Sequence, residues 1–158
     1  MQDIVETLRM ARARLLSRVA GLSQAEVTRR PTEDEWSIIE VLAHMIDVDR
    51  FYLGEAIAMR DGQDHLLAYF DDDRWKREHP DVRGTLLEDV IRGMQASHAE
   101  VLRAAAAMSE EELGRRGRHP RGLPYTVGDV LLRFPAHDEN HEQQILTLLS
   151  KSGPVRRP

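Results

Sequence analysis

The amino-acid sequence predicts an all-α protein, a four-helix bundle with an up-down-down-up path. Three observations carry this expectation. Four long stretches repeat apolar residues every three or four positions, which places those residues on one helix face. No alternating run is long enough to make a sheet. The link between the second and third stretches holds about twenty residues and can reach ~66 Å when extended, whereas a helix of ~24 residues is ~36 Å long. Such a link can travel the length of the bundle and leave the two helices parallel, which a tight hairpin would not require.

The first stretch runs from about Asp3 to Ala20, with Ile4, Leu8, Ala11, Leu15 and Val19 on one stripe. Gly21 ends it, as glycine does past a helix terminus. A short turn is expected from Ser23, closed by Pro31. The second stretch opens at Ser37, where SIIE reads as a capping box between Ser37 and Glu40. Its inner stripe holds Ile38, Val41, Leu42, Met45, Val48 and Tyr52, and Asp61-Gly62 stops it. Residues 61–84 read as irregular and contain the acidic run Asp71, Asp72, Asp73. The third stretch covers about Thr85 to Met108, with Thr85 and Glu88 as another candidate box, and a short turn is expected at Ser109 to Leu113. The loop GRRGRHPRGLP follows, and the last helix is expected from Thr126, boxed with Asp129, to about Lys151. Pro135 falls inside it and should bend it, because proline deletes one backbone bond.

Composition bounds the function. The 158 residues are 41% hydrophobic and 31% charged, which suits one globular domain over residues 1–151 and a flexible tail at 152–158. A formal net charge of -5 argues against a nucleic-acid binder with a basic face. The absence of cysteine removes disulfides, thiolate zinc sites and a cysteine nucleophile. The opening MQDIVETLRMARARLL is neither a signal peptide nor a membrane span. A cytoplasmic protein with no membrane partner is expected, and a homodimer.

The chemistry concentrates in HDENHEQQI, residues 137 to 145. The apolar stripe of the last helix runs through Val127, Val130, Leu131, Phe134, Ile145, Leu148 and Leu149, and its gap falls on His137, Asp138 and His141. Residues four apart stand one above the other on a helix, so both imidazoles can approach one point. The intervening residues lack the glutamate of an H-E-x-x-H zinc protease. An open zinc-type centre takes three protein ligands and a free position. His44, flanking the second stripe beside Val41 and Val48, is the best third ligand. The competing reading is three core-edge histidines satisfied by hydrogen bonds. His65, His79, His98 and His119 read as surface residues rather than ligands. No Glu-x-x-His pair marks a ferritin-like di-iron site, and ligands four apart on one helix do not bracket a haem.

Two runs resemble a known family. EWSIIEVLAHMIDVDRFY is similar to the second-helix signature of the DinB/YfiT-like superfamily, and YTVGDVLLRFPAHDENHEQQI resembles its last helix, with paired histidines and a following Gln-Ile. The resemblance covers the layout of the whole chain and implies the same up-down-down-up bundle. It also implies that His44, His137 and His141 bind a divalent metal, zinc or nickel first among candidates. Pro135 departs from the pattern. Members include transferases and an isomerase that use low-molecular-weight thiols.

The leading expectation is therefore a metal-dependent enzyme acting on a small molecule. Its most concrete form is a thiol-dependent S-transferase, whose thiol must come from a cosubstrate because the chain has no cysteine. A metal-dependent hydrolase and a non-enzymatic metal-binding stress or interaction protein are the alternatives. Asp47, three residues after His44, reads as a support behind the metal ligands, as a proton acceptor, or as an ordinary surface carboxylate. Arg115, Arg116, Arg118 and Arg121 read either as a solvated loop or as an anchor for an anionic cosubstrate.

Overall fold

The computed structural model describes residues 2–62 and 64–151. The tail expected at 152–158 lies outside the described residues. Four long helices, α1 (Gln2–Val19), α3 (Ile38–Asp61), α5 (Leu87–Ala107) and α8 (Arg133–Lys151), form the bundle. Shorter helices join them: α2 (Gln24–Thr28), α4 (Asp72–Glu78), α6 (Glu110–Leu113) and α7 (Val127–Leu131).

Side-chain registers give the path. Arg12 meets Asp138 and Arg18 meets Glu142, so contacts ascend together along α1 and α8. A Cβ on Gly93 would lie 2.7 Å from Ile46 Cδ1, and Ser97 donates to Asp49 at 2.7 Å, so α3 and α5 also ascend together. Contacts between α1 and α5 run the other way: Arg12 reaches the Met94 carbonyl, and Gln24, beyond α1, reaches that of Thr85. These are the senses that an up-down-down-up bundle requires.

Local chemistry sets the helix ends. The Ser23–Glu26, Ser37–Glu40, Ser109–Glu112 and Thr126–Asp129 boxes all form. The Thr85–Glu88 box does not. Helix α5 starts after Leu86, and the Gln24 amide serves its entry instead, donating to the Thr85 carbonyl and accepting from Leu87 N–H. A side-chain amide from α2 has replaced the local cap.

Three expectations need correction. Residues 61–84 are not irregular throughout: Asp71 caps α4 by accepting from Arg74 N–H at 2.8 Å, and a 3₁₀ turn covers Val82–Gly84. Carboxylates at Asp72 and Asp73 suit the positive end of α4. A small sheet also exists, in which β1 (Arg116–Arg118) pairs antiparallel with β2 (Pro124–Thr126) inside the arginine loop. Finally, the last helix is divided in two. Pro135 offers no N–H to the Leu131 carbonyl four residues earlier, so the break falls at Leu132 and Pro135 sits in the first turn of α8. There a missing N–H costs little, because the first-turn amides have no helical partner.

The predicted stripes are buried except for their ends at Ile4 and Leu149, which are half-buried. They make two apolar clusters, one around Leu15, Leu42, Met45 and Ile145, the other around Leu8, Val48, Met59 and Phe134. A charged layer contacts both. Arg12 is 3% exposed and makes bidentate pairs with Asp49 and with Asp138 at 2.9–3.0 Å. Ser97 donates to Asp49, and His98 lies buried beside them.

His98 and His119 are thus buried, contrary to the surface reading. His119 bonds Tyr69 at 2.8 Å, while half-buried His65 pairs with Glu55. Burial, then Arg12, pushes the His98 pKa down to about 4. The folded chain therefore keeps His98 neutral where the unfolded chain, with a value near 6.5, takes up a proton. Stability from this residue is intact above pH ~6.5 and declines as pH falls towards ~4. Chemical denaturation across that range should show the decline, and His98→Phe should remove this residue's share of it.

Candidate metal centre

His44 is placed by the second turn of α3. Capping fixes where that helix begins: Ser37 N–H and Oγ–H both reach Glu40 Oε2, and Glu40 is paired with Arg30. Glu40 is therefore committed to capping. His137 and His141 occupy successive turns of α8. Between them Asp138 points to Arg12, and this pair fixes the rotation of α8 that turns both histidines inward.

The three predicted histidines converge. One ring nitrogen from each lies within 4.8 Å of the others. His137 Nε2 and His141 Nε2 are 2.9 Å apart, and the His44 ring centroid lies 5.6 Å and 5.3 Å from theirs. His141 Nδ1 bonds Gln144 Oε1 at 2.7 Å. An amide oxygen only accepts, so His141 carries its proton on Nδ1 and leaves Nε2 as a lone pair facing the cluster. His44 Nδ1 is buried and has no hydrogen-bond partner.

All three imidazoles stay neutral. Burial, then His141, pushes the His44 pKa down to about 3. Burial, then the neighbouring histidines, lowers His137 too, and burial lowers His141 against the opposing bond to Gln144. Neutral imidazole is the form that binds metal. One ring nitrogen from each of three neutral imidazoles, gathered within 4.8 Å of one another, fits a zinc- or nickel-type ion, for which nitrogen donors are well suited.

The surroundings are aromatic on one side and open on the other. Trp36, Phe70 and Trp75 pack around His44 with centroids 5.1–5.4 Å away. Asp47 is not a free surface carboxylate. It accepts from Trp75 Nε1 at 2.8 Å and so holds α4 and the aromatic wall in place. On the open side a cleft of about 440 Å³ runs past His137, lined by Tyr52, Tyr69, Phe70, Asp72 and Arg133. Asp72 Oδ1 lies 3.6 Å from His44 Nε2.

Asp72 and Arg133 are neighbours that sequence reasoning did not single out, and Gln144 entered only as part of the Gln-Ile in the family resemblance. For Asp72 the available signal was an acidic run before a tryptophan, which reads as a helix start. For Gln144 it was the spacing of three residues from His141, one helical turn. Two arginines of the arginine loop are engaged elsewhere. Arg115 donates to the Arg60 carbonyl, sixteen residues and hence ~24 Å along α3 from His44, and Arg118 donates to that of Asp64.

Comparison with known proteins follows this geometry. The family model of the DinB superfamily matches residues 7–145, a span that includes all three histidines. No curated protein matches the chain. Among solved structures, YfiT from Bacillus subtilis, described as a probable metal-dependent hydrolase with an unusual four-helix bundle topology, is similar with a TM-score of 0.81 and 15% identity over 98% of this chain and 88% of that one. A mycothiol-dependent maleylpyruvate isomerase is similar with a TM-score of 0.73 and 12% identity over 91% of this chain. This chain covers 60% of the isomerase. At these identities the likeness is one of fold. The match of the family model over most of the sequence shows that the chain belongs to the DinB superfamily.

Proposed function

We propose that His44, His137 and His141 hold one divalent metal ion, zinc or nickel, and that the protein is a metal-dependent enzyme acting on a small molecule. The observation that carries this reading is the convergence of three neutral imidazoles beside an open cleft. When bound, the ion would supply Lewis-acid chemistry, polarising an oxygen or sulfur donor.

The chain's own residues supply the rest. Gln144 keeps the His141 lone pair aimed inward. The aromatic wall excludes water behind His44, so nucleophile and substrate must enter from the cleft. Asp72 Oδ1 takes the proton from the incoming nucleophile, because it lines the cleft next to His44.

The more concrete reading is thiol transfer to a small electrophile. The thiol is a cosubstrate, since the chain has no cysteine. Its support is the thiol-dependent isomerase of like fold. A hydrolase is the second reading, supported by YfiT, whose chain is matched almost end to end. Incubation with an electrophile panel and bacterial low-molecular-weight thiols separates them. Metal-dependent thiol loss supports transfer, whereas metal-dependent ester or amide cleavage without a thiol supports hydrolysis. Under either reading Asp72→Asn should lower kcat by ~10²–10⁴-fold with metal content unchanged. An unchanged rate would remove Asp72 from the reaction.

A further inference from the structure

The cleft holds a cation, Arg133, with no carboxylate partner among the described residues. Arg133 lies one helical turn before His137 on α8 and is half-buried. Its oxygen partners are neutral phenols: Nη2 donates to Tyr52 at 3.0 Å, and Tyr125 also bonds the guanidinium. Arg133 Nε is buried without a partner. The guanidinium lies 4.6 Å from the Tyr52 ring centroid and 5.3 Å from that of Tyr69. By contrast, Arg12, Arg14, Arg18 and Arg30 all pair with carboxylates. A half-buried cation left without a counter-ion is unfavourable unless something arrives to neutralise it.

We propose that Arg133 anchors the carboxylate of a small-molecule ligand whose planar or apolar body lies against Tyr52, Tyr69 and Phe70. Four residues of helix rise by ~6 Å, so an anchored carboxylate places the ligand's far end at His137. A guanidinium matches a carboxylate in a planar, two-bond geometry. Among the described residues that line the cleft, Arg133 is the one arginine or lysine and Asp72 a carboxylate, so the anchor serves a single carboxylate group. The proposal deepens the metal-enzyme reading by naming a substrate class, and rests on it only for the reacting end at His137.

The test uses benzoate and its neutral isostere benzamide, titrated by calorimetry and amide NMR into metal-free and zinc-treated protein. Zinc content is measured separately. Benzoate should bind more tightly than benzamide, with shifts centred on Tyr52, Tyr69 and Arg133. Arg133→Met should weaken benzoate at least ~10-fold, leave benzamide unchanged and leave zinc uptake unchanged. Arg133→Lys, which keeps the charge, should retain part of the preference and covers the case in which the methionine variant does not fold. Equal binding of the two probes, no binding of benzoate, or an unaltered benzoate affinity in both variants would overturn the proposal. Failure to take up zinc would instead overturn the metal reading, and the preference for benzoate in metal-free protein would stand apart from it.

Discussion

Replacing Arg12 with methionine is expected to destabilise the folded chain by about 3–5 kcal/mol, the range found when one partner of a buried ion pair is removed. The stem of the side chain is kept, so the loss is electrostatic rather than a cavity. Arg12 places four N–H···O bonds on Asp49 and Asp138, carboxylates that are each 1% exposed. Without it two carboxylates remain in the centre of the bundle, with Ser97 alone donating to Asp49. Burial already pushes the Asp138 pKa up to about 6 against the opposing pull of Arg12. In the variant that opposition is lost, and Asp138 should protonate at still higher pH. Total stability of such a domain is on the order of 5–15 kcal/mol, so a loss of this size shows directly in urea denaturation. The triple variant Arg12→Met, Asp49→Asn, Asp138→Asn should recover much of it, because no buried charge remains. A loss below ~1 kcal/mol in the single variant would mean that the layer is solvated in solution.

The second large effect is expected at His137. His137→Ala removes one of three imidazoles and deletes the 2.9 Å contact with His141. Loss of an outer partner of a metal ligand costs ~10–100-fold in affinity, and loss of the ligand itself should cost more. Wild-type protein should therefore gain thermal stability on addition of zinc or nickel. A ligand at ~1,000 times its Kd stabilises by about 4 kcal/mol. His137→Ala should show little of this gain, and its metal-free form should be no less soluble than the wild type. The two variants divide the labour of α8: Asp138 orients the helix through Arg12, and His137 and His141 use that orientation.

The helices and the three histidines were legible in the sequence because each sits on a periodic stripe, and periodicity is a local property. Two of the three pairs expected to cap helices, Ser37–Glu40 and Thr126–Asp129, form for the same reason. The Thr85–Glu88 box failed because the Thr85 N–H donates to the Val82 carbonyl, while Gln24, sixty-one residues from Thr85, takes the Leu87 N–H and the Thr85 carbonyl. The position of the helix break was readable in principle: Pro135 denies a bond to Leu131, so interruption belongs before the proline. The charged layer was less visible, although its signal exists. Arg12 stands four after Leu8, Asp49 four after Met45 and Asp138 four after Phe134, each on a face otherwise apolar. Charges of opposite sign on three inner faces are understood only when the faces are brought together. The roles of Asp47, Asp72 and Arg133 depended on where α4 docks and on how α7 turns into α8, which no spacing rule supplies.

The account stands most directly on the metal content of the protein. Chain purified without chelators or a histidine tag, then analysed by inductively coupled plasma mass spectrometry, should carry close to one zinc or nickel per chain, and His137→Ala should carry almost none. Wild-type protein without a divalent ion, unable to take up added zinc or nickel and unaltered in melting temperature by either, would contradict the three-histidine metal site.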